Sequence, residues 1–112
     1  MRQSSPHKKS KLESQILQEL GLCAKRTIND PRLQLISFTK AQLNKDNSRV
    51  KVYWDHYDSH KRGDTKQALE TARSVFRNHL AQILTTRVAP SIEFIYDSQF
   101  EDELKIDELL KS

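Results

Sequence analysis

The apolar residues of this chain switch between two periods, and that rhythm narrows the folds open to it. Leu12, Ile16, Leu17, Leu20, Ala24 and Ile28 recur every three to four residues, the stripe of an amphipathic helix. Asn29-Asp30-Pro31 ends the stripe, because proline lacks an N–H donor and disfavours helix in the residue before it. "LQLISFTKAQLN" then alternates like a strand, but with a fault in its rhythm. One extra residue near Thr39-Lys40, a β-bulge, puts Ile36, Phe38, Ala41 and Leu43 on one face. "NKDNS" supplies a turn, and "RVKVYWDHY" returns with Val50, Val52 and Trp54 inward and Lys51, Tyr53 and Asp55 outward. Helical spacing resumes from Thr65 to about Thr86 through Ala68, Leu69, Ala72, Val75, Phe76, Leu80, Ile83 and Leu84, until Pro90 forces a stop. "SIEFIYD" is a third strand, with Ile92, Phe94 and Tyr96 inward.

The order helix, strand, strand, long helix, strand predicts an α+β two-layer domain over residues 10–97. Both helices cover one face of a three-stranded sheet, and the other face suits water. "SKLE", Ser10 to Glu13, reads as a capping box, so the first helix begins at Ser10 and residues 1–9 form a flexible basic arm. Asp64 is the expected cap of the long helix, with Gln67 at its third position. Residues 98–112 are an acidic tail in which Leu104, Ile106, Leu109 and Leu110 could make a short docking helix.

With Gly21 and Gly63 as its only glycines, the chain has no P-loop, dinucleotide fingerprint or nucleophile elbow. That absence argues against an enzyme. Asp55, His56, Asp58 and His60 are of the types that bind zinc, but they lie in a polar turn without a second ligand pair, so neither a metal nor another cofactor is expected. A metal-dependent hydrolase at His56 and His60 would lack the three-ligand open site such catalysis needs. Cys23, the lone cysteine, fits a reducing compartment and a buried apolar position. No apolar run approaches the roughly 20 residues that span a bilayer, and a cytoplasmic monomer with no membrane partner is the simplest expectation.

The formal net charge is +4, with bases gathered at Arg2, Lys8, Lys9 and Lys11 and acids gathered after Asp97. Such asymmetry suits a protein that meets nucleic acid, and suits many soluble proteins too. Lys66, Arg73 and Arg77 are spaced by seven and four, which puts them on one side of the long helix. Arg77 and Asn78 are types that contact phosphate or sugar, although a solvated helix face would look the same. Arg32, after the helix stop, either pairs with Asp30 or reaches outward to a ligand.

"DPRL" from Asp30, "ISFTKAQL", "VKVYW", "ALETARSVFRNHL" and "RVAPSIEFIYD" from Arg87 together resemble the bacterial ribosome-binding factor A family. The resemblance runs from about Ser10 to Leu110, in order and spacing. It implies a KH-like domain of type II order, α-β-β-α-β, whose long helix is kinked. It also implies a non-enzymatic assembly factor for the immature 30S small ribosomal subunit, one that assists late 16S rRNA maturation including 5′-end processing. Such a factor is important in the cold and departs before translation. Typical KH domains grip single strands with a GXXG loop, and this family carries an Ala-x-Gly helix kink instead. Here Ala72-Arg73-Ser74 fills those positions, with serine where glycine is usual, so a shallower bend is expected. Arg77 matches the family's arginine after the kink and Arg87 the one before the proline, while Thr86 stands where an apolar residue is preferred. The expected RNA-binding residues are therefore Arg32, Lys66, Arg73, Ser74, Arg77, Asn78 and Arg87. An adaptor docking on ribosomal proteins through the acidic tail is the alternative.

Overall fold

The computed structural model describes residues 6–84, 89–98 and 109–110. Helix α1 runs Pro6–Leu22, strands β1 and β2 run Ile36–Leu43 and Arg49–His56, helices α2 and α3 run Arg62–Thr71 and Arg73–Ile83, and β3 runs Ser91–Tyr96. The expected α-β-β-α-β order is present, with its second helix split in two.

α1 starts earlier than expected. Pro6 opens it, in the first turn, where an N–H has no partner within the helix and its loss costs nothing. Ser10 therefore lies inside the helix and the anticipated capping box does not form. The Glu13 carboxylate instead accepts the N–H of Leu43 at 2.7 Å, tying α1 to the end of β1. Lys9, expected in a flexible arm, donates to the carbonyl of Asn44 at 2.7 Å. The other end of α1 also departs from a simple helix. Cys23–Thr27 form a π-helical turn closed by the Ile28 N–H on the Cys23 carbonyl, and Cys23 and Ala24 are both fully buried. Burial pushes the Cys23 thiol up, which keeps it protonated and unreactive.

The sheet order is β1-β2-β3, with β1 antiparallel and β3 parallel to β2. A parallel neighbour cannot be reached by a tight hairpin, so the two helices after β2 serve as the crossover. The bulge falls where the apolar rhythm broke. Phe38 pairs with Trp54 and Lys40 with Tyr53, leaving Thr39 as the extra residue. Ile36, Ala41 and Leu43 are consequently buried together, with Phe38 packed beside them. In the hairpin turn, Asn47 takes a left-handed φ of 62°, a conformation asparagine tolerates better than most residues.

One apolar layer lies between helices and sheet. Ile16 and Leu20 of α1, Leu69 of α2, and Phe76 and Leu80 of α3 meet Val50, Val52 and Trp54 of β2 and Ile92 of β3. Phe38, Phe76 and Phe94 form a ring cluster, with centroids 5.5–6.2 Å apart. Lys51 and Glu93 on the opposite face are exposed, and Lys40 lies over the Tyr53 ring there. Val75 is a correction. Expected in the core, it is 40% exposed, because Ala72, Phe76 and Leu80 carry the buried stripe and Val75 falls beside it. Leu109 and Leu110 are helical and exposed, so these two leucines are not docked on the core. The rest of the tail helix expected there lies outside the described residues.

Candidate nucleic-acid interface

α2 begins at Arg62, three residues after the chain enters a 3₁₀ turn at Ser59–Lys61. The N-cap is Lys61, without a side-chain cap, so Asp64 is not the cap expected of it. It stands in the first turn, where a carboxylate suits the positive end of the helix dipole. Thr65, fully buried, donates its hydroxyl to the Lys61 carbonyl at 2.9 Å and holds that turn closed.

The helix breaks at Ala72, whose φ of −92° and ψ of 4° lie in the bridge region rather than the helical one. Hydrogen bonds flank the break closely: Ala72 N–H to the Ala68 carbonyl at 3.0 Å and Phe76 N–H to the Ala72 carbonyl at 3.1 Å. A single residue thus leaves the helix between two segments that each have their own buried anchors, Leu69 before and Phe76 after. Ser74 is exposed in the first turn of α3 and is not the residue at the break.

The cations spaced by seven and four do share one side, and that side faces β3. Lys66 lines a groove with Phe94, Ile95 and Tyr96. Arg73 donates to the Ile92 carbonyl at 2.7 Å and is paired with Glu70. Arg77 reaches the Ala89 carbonyl at 3.4 Å. Following the helices forward therefore runs backward along β3 and into the segment before it, one cation at a time. Arg73 is spent within the molecule, whereas Arg77 makes one long contact and Asn78 is exposed beside it.

Arg32 takes the first of its two expected options. Its guanidinium forms a two-pronged pair with Asp30, Nε to Oδ1 at 3.0 Å and Nη2 to Oδ2 at 2.8 Å. Asp30 also accepts the Arg32 N–H, capping the 3₁₀ turn Pro31–Leu33. These bonds, the guanidinium first, hold the Asp30 carboxyl below the usual carboxylate range. Arg32 lines a cavity with Lys61, Asp64 and Thr65 at the start of α2, and Arg87 lies outside the described residues.

The His and Asp residues after β2 serve the turn. Asp55 accepts the His56 N–H, buried His56 accepts the Asp58 N–H at its Nδ1, and Asp58 accepts the His60 N–H. No three of them converge as metal ligands among the described residues. Arg62 and Tyr96 were missed by spacing arguments. The Arg62 guanidinium lies over the Tyr96 ring, 4.5 Å from its centroid, a pairing across the crossover that only packing reveals.

A mixed three-stranded sheet with a broken crossover helix and cations turned to its parallel edge can be set beside known proteins. The family model of ribosome-binding factor A matches residues 8–110. The chain belongs to the ribosome-binding factor A family. A curated family member from Kocuria rhizophila is 33% identical over 78% of this chain, which spans 58% of that longer relative. The crystal structure of ribosome-binding factor A from Thermus thermophilus matches with a TM-score of 0.69 and 28% identity, over 79% of this chain and 93% of that one. Coordinates of the Thermus thermophilus factor fitted into the cryo-electron-microscopy map of a complex with 30S match with a TM-score of 0.66 and 28% identity, over 78% of this chain and 92% of that one. The fold is KH-like, as in these family members. No described helix is long and apolar enough to cross a membrane.

Proposed function

We propose that this protein is a ribosome assembly factor that binds the immature 30S subunit, free rather than translating, and assists late 16S rRNA maturation including 5′-end processing. It acts as a cytoplasmic monomer, makes and breaks no bonds itself, and matters most in the cold, where misfolded RNA escapes slowly. The observation that carries this reading is the pair of exposed cations Lys66 and Arg77 on either side of a helix broken at Ala72, in a family one of whose members has been fitted into a 30S complex.

Lys66, Arg77 and Asn78 meet phosphate and sugar, and Ser74 sits where the break brings backbone close to RNA. Arg87 adds a cation beyond α3. Arg32 contributes only when its Asp30 partner yields. Each neutralised phosphate releases counterions, so affinity falls steeply with salt. Sedimentation of cell extract through a gradient is the test: the protein travels with free small subunits at low ionic strength and leaves them as salt rises. Salt-insensitive co-migration, or co-migration with polysomes, would overturn the reading.

A further inference from the structure

We propose that the open face of the sheet, at its hairpin end, is a second RNA-contact surface. Lys40, Arg49 and Lys51 hold a phosphate backbone there, so one chain clasps two RNA segments on opposite faces of its sheet. This rests on the RNA-binding reading of the helix side.

The helices cover the face on which Val50, Val52 and Trp54 are buried. Alternation along β2 therefore sends Arg49, Lys51 and Tyr53 to the other face, where the two cations are exposed. β1 adds a lysine through its bulge. Strict alternation after Phe38 would turn Lys40 toward the helices, whereas the extra residue at Thr39 sets it opposite Tyr53 on the open face. Lys40 is exposed there, with its ammonium 5.5 Å over the Tyr53 ring. Arg49 and Lys51 stand two residues apart, about 7 Å, and exposed Lys45 lies in the turn at the same end.

The other cations of the fold are differently placed. Arg32 and Arg73 pair with carboxylates, and Lys9 and Lys25 donate to backbone carbonyls. Among the described residues, the side chains of Arg49 and Lys51 make no hydrogen bond or ion pair. Both lie on the central strand, so their charge is not there to blunt a sheet edge. Asp55 and Asp97 stand at the far end of the sheet, where they accept the His56 N–H and the Thr39 hydroxyl. Asp46 in the turn is taken up by the N–H and hydroxyl of Ser48. Glu93, opposite Lys51 in the ladder, makes no ion pair with it. Cations therefore outnumber acids at the hairpin end, which complements a phosphate chain. With Lys40 over the Tyr53 ring, the contact is to backbone rather than to stacked bases, and it positions RNA without reading sequence.

The test is energy transfer between two stem-loop RNAs of unrelated sequence, one labelled with donor and one with acceptor, titrated with the full chain at low salt. Transfer is expected, from a complex that sediments as one chain with two RNAs. Arg49→Glu combined with Lys51→Glu is expected to abolish transfer, retain one RNA, lower the salt slope of total binding by about 2 and melt with the parent. Glu93→Gln is expected to strengthen transfer at a fixed chain concentration, an effect that loss of fold would not produce. A parent that holds only one RNA, transfer by a complex of two chains, or transfer that survives the Arg49 and Lys51 changes overturns the second surface and leaves the assembly-factor reading standing. Polyglutamate that removes transfer more readily than unlabelled stem-loop assigns the face to an acidic protein and overturns it too. If the parent binds neither stem-loop RNA nor precursor 30S particles at low salt, the underlying reading itself fails.

Discussion

Arg73 Nη1 donates to the carbonyl oxygen of Ile92 at 2.7 Å, joining the first residue after the helix break to the edge of the sheet. The same guanidinium pairs with Glu70 in the last turn before the break. One side chain thus bridges α2, α3 and β3, and the angle at Ala72 is held from outside the helix. Arg73→Ala should cost about 1–2 kcal/mol, discounted because the pair is partly exposed, and lower the melting temperature by several degrees. A variant that melts with the parent by calorimetry would deny Arg73 this bracing role.

Arg77 stands four residues on with only a 3.4 Å contact to the Ala89 carbonyl. Arg77→Ala should change stability by roughly 0.5 kcal/mol or less and still weaken binding to 30S particles, reducing the salt slope by about 1. On the proposed function, the two arginines divide bracing from RNA contact. Equal losses of thermal stability in both variants would contradict that division.

Gly21 lies in α1 with no positive φ and no protein atom within 4 Å of where a Cβ would stand. Gly21→Ala should stabilise the protein by up to about 1 kcal/mol, because alanine loses less freedom on entering a helix. It should leave RNA binding as it was. Denaturant unfolding checks the gain, and a lower midpoint would show that the position is tighter than its surroundings indicate.

Phe76 is fully buried, edge-on to both Phe38 and Phe94. Phe76→Ala should cost about 3–5 kcal/mol through lost burial and a partly uncollapsed cavity. That is a large share of the roughly 5–15 kcal/mol by which domains are stable. Urea titration should show the midpoint falling accordingly, and a loss under about 1 kcal/mol would mean that the ring cluster is not packed as described.

The Asp30 carboxyl, held low by the Arg32 guanidinium and then by the Arg32 N–H, makes a pH prediction. A carboxyl whose folded pKa is depressed stabilises the fold fully above its unfolded value of about 3.9 and loses that contribution as pH falls through the lower folded value. Asp30→Asn should therefore destabilise at neutral pH, with the gap to the parent narrowing below about pH 4. A gap constant into strong acid would show that the carboxylate's charge is not what acts.

Much of this architecture is legible in residue order because burial obeys simple periods. Ile36, Phe38, Ala41 and Leu43 reach one face only if a residue is skipped, and Thr39 is the one skipped. Pattern therefore located a bulge without any knowledge of the partner strand. The cations at 66, 73 and 77 were placed on one side by the same arithmetic, since helix geometry is local.

Tertiary contact decided what local pattern could not. "SKLE" satisfies the rule for a cap, yet Pro6 opens the helix upstream and Glu13 serves Leu43, thirty residues away. Spacing put Arg73 among the outward cations, and the Ile92 carbonyl claimed it. It could not bring Arg62 onto Tyr96, because those residues meet only after the crossover sets β3 beside β2. Periodicity records which side of an element is apolar; it holds no information about which distant polar group will arrive there. The fold class therefore follows from the chain's own order, while which basic residues are bonded within the molecule and which stay exposed follows from what each found within reach.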